Sequence, residues 1–175
     1  MALYSIDYAN KLVKRLQKLQ ADIFTNEASS SVYVCYSGES PIIPDYDFNE
    51  TQKKLNTIVA HIIQIKHDIR EANMKGHLKN YPEWTVDEAV LKLSFLINER
   101  NRLGRMVNTL PERVVSRGGS SQRTEIIRTN YDPKEVKAAY NKVSDEIIKL
   151  QDELNTFNIL TQIRVADEVD ELFKD

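Results

Sequence analysis

Between Tyr131 and Phe157, the residues Val136, Tyr140, Val143, Ile147, Leu150, Leu154 and Phe157 recur at alternating steps of four and three, with mostly Lys, Asp, Glu and Gln between them. This heptad seam predicts one long amphipathic helix. Asp132 is placed to cap it, Pro133 suits its first turn, and Glu135 stands at the third position. A helix with such a seam does not stay folded alone in water, so the pattern calls for partner helices.

Three further stretches supply them. Ala9, Leu12, Leu16, Leu19 and Ile23, with Val13 beside them, predict a helix from near Ser5 to about Phe24. Its basic flank, Lys11, Lys14, Arg15 and Lys18, suits either a solvated face pairing with acidic neighbours or contact with an anionic partner. A second helix begins at Asp47, with Glu50 completing a capping box, and carries Phe48, Leu55, Ile58, Ile62, Ile65, Ile69 and Ala72. The third opens with Thr85 as cap and Glu88 three residues on. Trp84 and Ala89 are spaced as a hydrophobic staple. The apolar arc of this helix is wide, from Val86, Ala89, Val90 and Leu91 through Leu93, Phe95, Leu96 and Ile97 to Leu103, Val107 and Leu110. It is therefore expected to sit deepest, against two neighbours or a second subunit, and to stop at Pro111.

The helical period fails in two places. Val32-Tyr33-Val34-Cys35-Tyr36 is β-branched and aromatic and ends at Ser37-Gly38, which reads as a short strand. Pro41 and Pro44 then forbid a helix through Ile42 and Ile43. From Glu112 to Asn130, two further strand-like runs flank Arg117-Gly118-Gly119-Ser120-Ser121-Gln122-Arg123. The expected fold is mainly α: an antiparallel four-helix bundle of long, coiled-coil-like helices. A small β element has strands near 32–36, 113–117 and 124–129, able to join into one sheet. Residues 1–160 form a single helical domain, and 161–175 an acidic C-terminal tail with a short docking helix.

The bulk numbers agree with a folded helical protein. Hydrophobic residues make up 41% of the 175 and charged residues 29%, enough for a core. A net charge of −2 gives no general pull toward nucleic acid or an anionic membrane. The single cysteine, Cys35, excludes an intramolecular disulfide, as in a reducing compartment. The first residues lack a signal-peptide pattern, and no uncharged apolar run reaches the ~18–20 residues of a membrane span. A cytoplasmic location without a transmembrane segment is expected.

Candidate chemistry is sparse. Arg100 falls on the seam side of helix three, between Ile97 and Leu103, where a guanidinium needs an acidic partner or a bound anion. Arg117, Gly118, Gly119 and Arg123 suit either a hairpin tip or a loop that wraps an anion with backbone N–H groups. These five residues are the candidate anion site. No metal site is expected: His61 and His67 are six apart, and His77 lies in a loop. The only Glu-x-x-Glu is Glu168 to Glu171, with no acidic helix after it to complete a Mg²⁺ site, and no Glu-x-x-His supports a di-iron bundle. No cofactor is implied.

Several short runs, in order, carry a resemblance. They are Lys14-Arg15-Leu16-Gln17-Lys18-Leu19, Ile69-Arg70-Glu71-Ala72-Asn73, Asn98-Glu99-Arg100-Asn101-Arg102-Leu103, Glu125-Ile126-Ile127-Arg128-Thr129 and Leu154-Asn155-Thr156-Phe157-Asn158. Over about residues 5–160 the chain resembles the septicolysin-like family of small bacterial helical proteins. The family name implies a haemolysin, with no catalytic residues to carry over. The charged outer faces of these helices speak against direct lysis. The expected function is a non-enzymatic, self-associating structural or interaction protein, with a second copy or another protein as partner. The alternatives are membrane activity, as the family name implies, and weak anion or nucleotide binding. Nucleic acid is not an expected partner.

Overall fold

The computed structural model describes residues 1–115 and 125–173. It is mainly helical. In order, the elements are β1 (Ala2–Ser5), α1 (Ile6–Ser30), α2 (Phe48–Lys75), α3 (Val86–Val107), β2 (Glu112–Val115), β3 (Glu125–Arg128), α4 (Pro133–Leu160), β4 (Gln162–Val165) and α5 (Glu168–Glu171). They fall into two compact units. The first holds Met1–Gly76 and Thr156–Asp175, the second His77–Asn155, so the last turn of α4 belongs to the first unit and the rest of that helix to the second.

In the first unit, α1 packs along α2. Ser5 caps α1 by accepting the Tyr8 N–H at 3.2 Å, and Ile6, Ala9, Leu12, Val13 and Leu16 then recur on one face and are buried. Opposite them α2 buries Leu55, Ile58 and Ile65. The helix α1 runs past Phe24, where the sequence expectation stopped it, to Ser30. Hydroxyls in that stretch bond back to helical carbonyls, Thr25 to Ala21 and Ser29 to Asn26. Asp47 caps α2 by accepting the Glu50 N–H at 2.9 Å.

The sequence expectation contains neither β1 nor β4. They pair antiparallel, Ala2 opposite Val165 and Ser5 opposite Gln162, and the Ile6 N–H extends the pairing to the Thr161 carbonyl at 3.0 Å. Ile163 and Val165 alternate inward into the same core, which also takes Val169 of α5. The end of the described chain reaches α1, where the Arg15 guanidinium stacks over the Phe173 ring, 4.1 Å from its centroid.

In the second unit, Thr85 and Glu88 form the full capping box of α3: each side chain accepts from the other residue's backbone N–H. Tyr81 and Trp84 stack with centroids 5.5 Å apart just before the cap. The buried stripe of α3 is Val86, Ala89, Leu96 and Leu103; that of α4 is Val136, Val143, Ile147, Leu150 and Leu154. A Cβ at Gly104 would stand 3.3 Å from the Tyr140 ring, so the two helices come together there. The wide arc of α3 is only partly covered: Val90, Leu91 and Phe95 face outward.

The β expectations need correction. Residues 32–36 are not a strand. The chain turns at Tyr36–Glu39, where the Glu39 N–H reaches the Tyr36 carbonyl at 3.1 Å and Gly38 takes a φ of 90°. The returning limb carries Pro41 and Pro44, which lack the N–H donors a ladder needs. The strands expected at 113–117 and 124–129 are β2 and β3, over Glu112–Val115 and Glu125–Arg128. Among the described residues they pair only with each other, with Glu112 opposite Arg128.

Candidate functional site

The second unit contains an open cleft of about 470 Å³ between the end of α3 and the segment that follows β3. The α3 helix presents Arg102, Arg105 and Met106 to it, Thr109 follows just past the helix end, and Ile127–Tyr131 form the other wall. Arg102 and Arg105 are exposed, in the last two turns of a helix whose carbonyl end favours positive charge. Arg128 is engaged, donating through Nε to Glu112 at 2.8 Å across the β2–β3 pair. Arg102 lies 3.9 Å from Glu99 and donates to the Met106 sulfur at 3.6 Å. Arg105 makes no salt bridge or side-chain hydrogen bond among the described residues. The wall is fixed by Tyr131, whose hydroxyl donates to the Met106 carbonyl at 2.8 Å. Three guanidiniums, one of them uncommitted, can hold a phosphate or carboxylate, while the Thr109 hydroxyl is spent on the Arg105 carbonyl at 2.9 Å.

This is not the anion site expected from the sequence. Arg100 lies on α3, half-buried, with no acidic partner among the described residues, and it does not line the cleft. The acidic partner expected for it is not needed, because part of the side chain keeps its contact with water. Arg117, Gly118, Gly119 and Arg123 lie outside the described residues. Arg102 sits inside the run singled out around Arg100. Arg105, three positions on, carries a sequence signal of its own: a basic residue in the last turn of a helix.

The first unit carries two further features. On α2, His67, Asp68 and Glu71 bring ligand-type atoms within 4.8 Å of one another. His67 and Glu71 form an i, i+4 pair, a spacing that the comparison of His61 with His67 does not cover. Both carboxylates there already have partners. Asp68 accepts from Gln64 at 2.8 Å, and Glu71 pairs with Lys75 at 2.5 Å, which together with His67 holds its carboxyl below the ordinary range.

The second feature is the connection Ser31–Asp47. Val32, Tyr33, Val34, Tyr36, Ile42 and Ile43 are all exposed, Val34 at 85% and Ile42 at 91%. The far end of this connection is anchored. The Tyr46 hydroxyl donates to Glu27, which pushes the phenol pKa up, and beside it Ile23, Asn26, Asp45 and Glu50 line a cavity of about 230 Å³. Cys35 is a free, exposed thiol.

No family model matches the chain, and no curated protein does. Among solved structures, the fold resembles the crystal structure of a functionally unknown conserved protein from Corynebacterium diphtheriae. The TM-score is 0.65 at 14% identity, covering 93% of this chain and all of that one. Likeness at that identity is likeness of fold.

Proposed function

We propose that this chain is a non-enzymatic interaction protein that associates with copies of itself, as heptad seams without a catalytic set of residues lead us to expect. Its four long helices supply seams for a bundle or coiled coil, within one chain or between copies. The observation that carries the reading is the connection Ser31–Asp47, where six large apolar side chains stand exposed within twelve positions, 32–43. Large apolar side chains left exposed together on one segment of a folded protein point to an interaction site. Light scattering over a concentration series tests it. A rising mass supports self-association, and a constant monomer mass rejects it.

The second reading, anion binding, is favoured by the arginine-lined cleft. Thermal shift with inorganic phosphate is its test. Stabilisation should fall as salt is raised and should be lost in Arg105→Ala. The lytic activity implied by the family name draws no support from the helices, since no described helix is long and apolar enough to cross a membrane.

A further inference from the structure

Residues 32–36 have the composition of a strand without a strand's partner. The backbone N–H groups of Val32 to Tyr36 donate to no protein acceptor among the described residues, and β1, β2, β3 and β4 are all paired elsewhere. The limb that returns from the Gly38 turn cannot serve, because Pro41 and Pro44 lack the needed donors. An uncovered β-prone run of this kind is a template for pairing with another chain.

The same run suits its own copy. From Ala28 to Gly38 there is no charged residue, so two copies meet without like-charge repulsion. In an antiparallel pair centred on Val34, that residue faces Val34 of the second copy, Val32 faces Tyr36, and Tyr33 faces Cys35. All five residues are then matched, with an aromatic opposite a smaller side chain on each face. Shifting the centre to Cys35 sets Val32 against Gly38, whose φ of 90° takes it out of strand geometry. A centre at Tyr33 draws in Ser30 at the end of α1. A two-stranded ladder alone is marginal in water. Here Ile42 and Ile43, exposed on the same connection, add apolar surface to be covered. Two tyrosines at about 150–250 Å² each and four aliphatic side chains make a substantial part of the ~800 Å² per partner of an ordinary stable interface.

We propose that residues 32–36 form an intermolecular antiparallel β-pair with the same residues of a second copy, across a two-fold axis at Val34. This rests on the self-association reading and names its contact.

The experiment uses the full chain. Sedimentation velocity over a concentration series compares the wild type with Val34→Asp, which sets two carboxylates against each other at the axis and, at an exposed position, leaves the monomer folded by circular dichroism. The dissociation constant should rise about tenfold or more. In a Cys35→Ser background, Val34→Cys and Val32→Cys are then compared for disulfide formation under mild oxidation. The two positions 34 face each other within the ~7 Å Cα reach of a disulfide, whereas positions 32 are offset by roughly 14 Å along the strands. Val34→Cys should therefore cross-link at least about tenfold faster. A wild type that stays monomeric overturns both this pairing and the self-association reading. A wild type that associates, with Val34→Asp unchanged or both cysteine variants cross-linking at one rate, overturns the pairing alone and moves association to another face.

Discussion

The hydroxyl of Tyr4 on β1 donates to the carboxylate of Asp170 on α5 at 2.5 Å, joining two residues 166 positions apart. The bond holds the phenol neutral, and desolvation and the negative charge of Asp170 act the same way, so its pKa is pushed from 10.0 up to about 12. The folded value lies above the unfolded one. The stability linked to this proton is therefore fully present below pH 10 and is lost as pH rises through about 12. Tyrosinate absorbance should show a late step near pH 12 that Tyr4→Phe removes and that Asp170→Asn moves to lower pH.

Phe157 explains the glycine that ends α2. A Cβ on Gly76 would stand 2.5 Å from Cε2 of that ring, and the φ of −81° at this position is open to any residue. Glycine is needed there for room, not for its backbone freedom. Gly76→Ala should cost about 1–3 kcal/mol by overpacking. Urea denaturation measures it, and Phe157→Leu in the same chain should return part of the loss.

Burial separates apolar residues that look equivalent in sequence. Leu16 is 0% exposed and Phe95 69% exposed. Leu16→Ala should destabilise by about 2–5 kcal/mol through the cavity it leaves. Phe95→Ala should stay within about 0.5 kcal/mol, as for other surface changes. Chemical denaturation of both variants checks the contrast, and similar losses at the two sites would refute it.

Thr85 accepts the Glu88 N–H at the start of α3, while Glu88 accepts from the backbone N–H and the hydroxyl of Thr85. These bonds hold the Glu88 carboxyl below its ordinary value. Its contribution is present above the unfolded pKa and disappears as pH falls through the lower folded one. Thr85→Ala should cost about 1 kcal/mol. By thermal melting, the deficit should narrow as the pH is lowered through the carboxylate range.

The helices were legible because their information is local. Cap residues and an apolar period act within a few turns, and Leu150, Ile58 and Leu96 are all buried as their spacing requires, although α3 ends at Val107, ahead of the stop expected at Pro111. The arginine-lined cleft was only half legible. Arg102 stands in the run around Arg100, but its sharing a cleft with Arg128 depends on how the chain returns after β3.

By itself the sequence determined that this chain is mainly helical, where its four long helices begin, and that one β-prone run is present at 32–36. Tertiary structure decided the pairings. It set Ala2–Ser5 against Gln162–Val165, made β2 and β3 partners of each other, and left 32–36 with none among the described residues. A helix satisfies its backbone within its own turns, whereas a strand completes its hydrogen bonds only with a segment that the rest of the fold brings alongside.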